Sequence, residues 1–154
     1  MVTTTEIDTG AVEKELAKLG ALYGAATVKA AVTSAELVRS TAIKSIQSAT
    51  MGKEVTRHTS AGQSYSHTAA KAGGAPNSDT GALVNSIQVE LKGSGLGKGV
   101  GVGTRLDYGR WLENGTKKMK ARPWLNPALE ANRANIKKLM GREIDKVTRK
   151  HGDL

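Results

Sequence analysis

The chain has no cysteine, no phenylalanine and three prolines, and aromatic residues make up 3% of its 154 positions. Without cysteine there is no disulfide framework, no thiolate metal site and no cysteine nucleophile. The aromatic inventory is Tyr23, Tyr65, Tyr108, Trp111 and Trp124, so platforms for stacking nucleic-acid bases are nearly missing. No stretch approaches the ~20 consecutive apolar residues of a membrane helix. The polar, acidic residues 1–8 are unlike a secretory signal. A soluble protein made in the cytoplasm, with no membrane partner, is the expectation.

What the chain has instead is small side chains. Eighteen glycines and many alanines remove little surface from water, at about 25 cal/mol per Å². A single domain (1–154) with a thin core, helped by neighbouring subunits, follows. The formal charge of +9 is uneven. Residues 1–104 carry ten Lys/Arg against eight Asp/Glu, whereas residues 105–154 carry thirteen against six, a net of +7. Such a basic third suits nucleic acid, an acidic partner, or simply a solvated helix face.

Residues 11–49 read as one long helix or two abutting ones. Val12, Leu16, Leu19, Tyr23, Ala26 and Ala30 form one stripe at helical spacing, and a second stripe continues through Val28, Ala31, Ala35, Val38, Ala42, Ile46 and Ala49. Gly20 and Gly24 mark a place for a bend. So long a helix exceeds what one small core covers, and part of it is expected against a neighbour. Residues 50–78 lose periodicity and read as an extended loop with a short strand over 63–67. Residues 79–122 read as short helices and a β-hairpin. Asp79 or Thr80 caps a helix over 81–86. Ile87, Val89 and Leu91 then alternate as a half-buried strand. A glycine-alternating hairpin follows over 93–103, with Val100 and Val102 on the opposite face. Residues 108–113 form a short helix that stops at Asn114-Gly115. The last helix, over 123–150, takes Asn126 as N-cap and Pro127 as its first residue. The fold class is α+β, with the last helix packed on a small antiparallel sheet.

The glycine run carries no nucleotide-binding chemistry. Gly97-Lys98 has Lys92 where a Walker A loop needs glycine, and Gly99 where it needs Ser or Thr. His58 and His67 lie nine residues apart in a polar loop, with no nearby carboxylate to complete a metal site. Ser64 and Ser66 stand beside His67, but a triad also needs an orienting acid and an oxyanion hole. No catalytic, cofactor-binding or metal residue is assigned, and no cofactor is expected. Lys117, Lys118, Lys120 and Arg122 cluster near Trp124 and are candidate contacts to a partner or to DNA, non-specific at most.

Three separated segments match one pattern: residues 74–87; Val102-Gly103-Thr104 with residues 108–116; and residues 119–129 running into the terminal helix. Their combination resembles the tail-completion (neck, or head-to-tail joining) proteins of long-tailed bacteriophages, over roughly residues 74–145. The family's Thr-Gly-x-Leu-x-x-Ser-Ile element falls on Thr80, Gly81, Leu83, Ser86 and Ile87. Its Glu-x-Gly-Thr element falls on Glu113, Gly115 and Thr116, and its Pro-aromatic-Leu-x-Pro-Ala element on Pro123, Trp124, Leu125, Pro127 and Ala128. Tyr108 and Trp111 belong to the segment between them. Asn114 and Trp124 stand where the family often has Phe, and Gly109 where Ala is common.

The resemblance implies a structural α+β virion subunit at the head–tail junction, assembled in the host cytoplasm. It forms a ring, usually a hexamer, that bridges the tail terminator or tube to the head connector around the DNA channel. Leu83, Ile87, Trp111 and Leu125 are expected to pack, and the prolines to lead rigidly into the last helix. Glu113 has two readings, an intersubunit ion pair or an ordinary surface carboxylate. Loops 50–78 and 93–99 are expected to order when subunits meet. A basic, non-specific nucleic-acid-binding module is the alternative function.

Overall fold

A computed structural model describes residues 10–48, 52–93 and 99–151. The first element, α1 (Gly10–Ser48), is one helix of 39 residues, about 58 Å long. Gly20 and Gly24 lie within it, so the expected place for a bend does not divide it; residue 49 lies outside the described residues. Ala26, Ala30, Ala35, Val38, Ala42 and Ile46 are buried along its length, in steps that follow the helical period. The stripe does not hold at its start. Val12 and Leu16 are 59% and 63% exposed.

The last helix, α4 (Asn126–His151), runs antiparallel to α1. Tyr23 Oη lies 3.0 Å from Thr148 Oγ1, Lys29 Nζ lies 3.2 Å from Glu143, and Asn132 Nδ2 donates to Thr41 Oγ1 at 2.9 Å. This corrects the expectation of a helix laid on the sheet: the main partner of α4 is α1.

Among the described residues, two separate two-stranded antiparallel sheets complete the α+β fold. Strands β1 (Glu54–His58) and β2 (Ser64–Thr68) pair with Val55 opposite His67 and Arg57 opposite Tyr65. The short strand expected over 63–67 is thus present as β2, and part of the segment expected as loop pairs with it as β1, within a single chain. The five-residue turn of this hairpin is closed by Thr59 N–H to Gln63 O and Gly62 N–H to Thr59 O, both at 2.9 Å. The second hairpin joins β3 (Gln88–Lys92) to β4 (Gly99–Gly103) and packs on α1. Its register sets Val89 opposite Val102 and Leu91 opposite Val100, so these four share one face and the glycines of β4 lie on the other. On the other face the Lys92 side chain lies across Gly101, where an added Cβ would come within 3.0 Å of Lys92 Cε. The turn of this hairpin, residues 94–98, lies outside the described residues.

Two short helices, α2 (Ala82–Ser86) and α3 (Asp107–Asn114), close the core. Val38, Ala42 and Ile46 of α1 meet Leu83, Ile87, Trp124 and Ala128 there. Arg39 Nε donates to Ile87 O at 2.8 Å, tying the end of α2 to α1.

Candidate functional site

The residues singled out in the sequence converge on one junction between α2, α3 and the start of α4. Helix α3 ends at Gly115, whose φ of 74° lies in the left-handed region and whose N–H bonds Trp111 O. A Cβ at that position would come within 2.8 Å of Ala121 N and 2.9 Å of Met119 O, so the close return of the chain requires glycine. Thr116 Oγ1 accepts from Lys118 N–H and Met119 N–H and shapes the turn. Arg122 N–H then bonds Leu112 O at 2.7 Å, which brings Pro123 and Trp124 alongside α3.

Glu113 locks this return. Its Oε2 accepts from Trp124 N–H (2.8 Å) and Leu125 N–H (2.9 Å), and its Oε1 from Asn126 N–H (2.9 Å). The Leu125 and Asn126 N–H groups are donors that the start of a helix leaves without intrahelical partners, and a carboxylate there also suits the helix dipole. Leu125 O accepts the first bond of α4, from Leu129 N–H, so Leu125 stands at the N-cap. The expected cap by Asn126 is corrected: Glu113 supplies it. Glu113 is therefore no ordinary surface carboxylate: both its oxygens are held by backbone N–H groups of its own chain. Trp124 is 2% exposed, and its indole N–H donates to Gly109 O at 3.1 Å.

The Thr80–Ile87 element joins from the other side. Gly81 takes φ 77° ahead of α2, and Thr80 Oγ1 accepts from Ala82 N–H. Gly81 itself stands at the N-cap with no side-chain cap bond, so neither Thr80 nor Asp79 takes the capping place expected of them. Ser86 Oγ bonds Leu83 O at 2.8 Å and Thr104 Oγ1 at 2.6 Å. Leu83 and Ile87 are buried, as expected, and Leu125 packs against the core. Trp111 is not: it is 49% exposed, and Tyr108 is 38% exposed. Pro123 is half-buried and Pro127 exposed.

Asp79 holds the first hairpin down. Tyr65 Oη donates to Asp79 Oδ1 at 2.8 Å, His67 Nδ1 lies 3.6 Å from the same oxygen, and Arg57 Nε lies 3.7 Å from Oδ2. The bond to Asp79 holds the Tyr65 phenol above its usual range; burial and the Asp79 charge add to this and Arg57 opposes it. Strand alternation explains the grouping, since Arg57, Tyr65 and His67 share one face of the hairpin. Ser64 and Ser66 occupy the other face, bonded to His58 and Glu54 respectively. His67 therefore has its acid but no serine beside it. Among the described residues no three His, Asp or Glu side chains gather to hold a metal ion.

The basic loop divides. Lys117, Lys118 and Lys120 are exposed, whereas Arg122 is half-buried and lines a cavity of about 380 Å³ beneath the hairpin, with Arg57, His67, Pro76 and Tyr108. The basic side chains of α4, such as Lys137, Lys138 and Arg142, are exposed.

Residues 10–115 match the HK97-gp10-like family, described as a bacteriophage tail component. The match spans α1 to the end of α3, including the long amino-terminal helix that lies ahead of the three motif segments, and stops before the Pro-Trp-Leu segment. No curated protein and no solved structure matches the chain. The chain belongs to this family of phage tail components, whose role in the virion is structural.

Proposed function

We propose that this chain, as a member of that family, is a tail-completion subunit: a single-domain, non-enzymatic protein that forms a hexameric ring at the head–tail junction. The ring joins the tail terminator or tube to the head connector and leaves a channel for DNA. The family match over residues 10–115 carries this reading. The interlocked junction around Glu113 fits it, because these motif residues bond backbone and fill the core, leaving the outer surfaces to partners. Val12, Leu16 and Trp111 are large apolar side chains that the single chain leaves exposed.

Light scattering on the purified protein, alone and with duplex DNA at low and moderate salt, tests the proposal. A ring-sized mass that ignores DNA is the expected result. The exposed lysines at 117, 118 and 120 and along α4 favour one second reading, a basic nucleic-acid-binding module. That reading requires a monomer whose duplex affinity falls steeply with salt, and such a result would displace the ring.

A further inference from the structure

We propose that the amino-terminal end of α1 docks into an apolar groove on a second copy of this chain, in a head-to-tail contact. The inference deepens the ring reading above and rests on it.

The first half of the contact is a projecting helix end. The pairs Tyr23–Thr148, Lys29–Glu143 and Thr41–Asn132 place the two helices in a regular antiparallel register. His151, the last described residue of α4, therefore lies opposite about residue 20 of α1. Residues 10–19 run on past it for about 15 Å. On one face of this projection sit Val12 and Leu16, at i and i+4, 59% and 63% exposed. An apolar pair at that spacing is the anchor pattern of a helix laid into a groove.

The second half is the groove. Ala35 and Val38 of α1, Val102 of β4, and Leu129, Ile136 and Met140 of α4 line an open, mostly apolar space of about 290 Å³. It can take side chains of the size of Val12 and Leu16. Leu129 stands at its rim, 42% exposed.

The helix that carries the projection also forms a wall of the groove, and this decides the occupant. About 20 residues of unbroken helix separate Leu16 from the groove wall at Ala35, or roughly 30 Å. The projection cannot fold back to fill its own groove, so a second copy must supply it. Charge agrees. Residues 10–19 are balanced, Glu13 and Glu15 against Lys14 and Lys18, and Glu6 and Asp8 in the sequence ahead of the described helix bring residues 1–20 to a net of −2. Helix α4 carries seven Lys/Arg against three Asp/Glu, a net of +4. A contact between two different patches is heterologous, and repeated around an axis it closes into a ring.

Single-cysteine variants test the pairing directly, because the chain has no cysteine of its own. Leu16→Cys and Leu129→Cys both fall at exposed positions, so the monomer should fold with either. After mild oxidation, a mixture of the two should give at least ten times more disulfide-linked dimer than either alone. The double variant should give a ladder ending at the ring size. Self-linking of Leu16→Cys at the level of the mixture overturns the proposal in favour of a symmetric contact. A wild-type chain that assembles by light scattering while the mixture stays unlinked overturns the pairing and leaves the ring reading standing. A wild-type chain that is monomeric at every concentration overturns both. As an independent check, Leu16→Asp should keep the wild-type circular dichroism and lose the assembled mass; retention of that mass overturns the proposal.

Discussion

Glu113→Ala leaves three backbone N–H groups without their acceptor, and the cost depends on where each one sits. The donors at Trp124 and Leu125 are half-buried and share Oε2, while the donor at Asn126 meets Oε1 in an exposed position. Water replaces the carboxylate at Asn126 with little loss. Each of the other two, left unmade, costs ~1–2 kcal/mol. Loss of a negative charge at the N-terminus of α4 adds ~0.5 kcal/mol. The total is about 3 kcal/mol, which in a chain of this length lowers Tm by ~6–12 °C. Glu113→Gln should lose about half as much, because its carbonyl can take the Oε2 position while its amide faces Asn126 N–H as a second donor. The assay is urea unfolding, followed by circular dichroism and by tryptophan emission in a Trp111→Phe background. Trp124, 2% exposed, then reports alone from beside the cap. An alanine variant within ~0.5 kcal/mol of its parent, with the Trp124 emission unmoved, would refute the capping argument.

An added methyl at Gly109 would sit 2.4 Å from Thr104 Cγ2 and 3.2 Å from Leu83 Cδ1, so Gly109→Ala should cost ~1–3 kcal/mol by overpacking. Thr104→Ser removes the clashing methyl and keeps the hydroxyl that Ser86 uses. A double-mutant cycle should therefore show rescue, and strict additivity would count against the packing account. Gly115→Ala should be worse, since positive φ and backbone contact act together; thermal melts should place it below Gly109→Ala. Hydrogen bonds from Lys146 and Lys29 lower the pKa of Glu143. The carboxylate form is therefore favoured in the folded state, and its contribution is present above the ordinary carboxylate range. It disappears as pH falls through the lowered folded value. Acid unfolding curves of the wild type and Glu143→Gln should converge at the acid end, and a gap that widens there would contradict the assignment.

Side-chain periodicity made the helices legible in the sequence. Ala35, Val38, Ala42 and Ile46 repeat at helical spacing, and they are the residues buried along α1. Of the first hairpin only β2 was legible, as a short strand over 63–67; β1 was not, because its residues are mostly polar on both faces. Glu54, Thr56 and His58 alternate with Val55 and Arg57, so the strand has no apolar rhythm to betray it. Glu113 was obscure for a different reason. Its partners are backbone N–H groups 11 to 13 residues downstream, and backbone groups leave no signature in residue identity. Composition cannot say which of two apolar stripes on a helix finds cover within the chain. Val12 and Leu16 look as core-like as Val38, and only the point where α4 stops separates them. The same holds for Arg122, which the sequence groups with three exposed lysines and the fold turns inward.

Helix α1 also has a mechanical consequence. Its core contacts, Val38, Ala42 and Ile46, lie near one end, while Val12 lies about 45 Å away along the axis. With α4 strapped alongside, the pair forms a stiff lever whose fulcrum is the junction around Trp124. A tilt of ~5° at that fulcrum carries the far tip through ~4 Å, given the length of the arm. A slight change of seating at the core end is thus delivered, enlarged, at the tip.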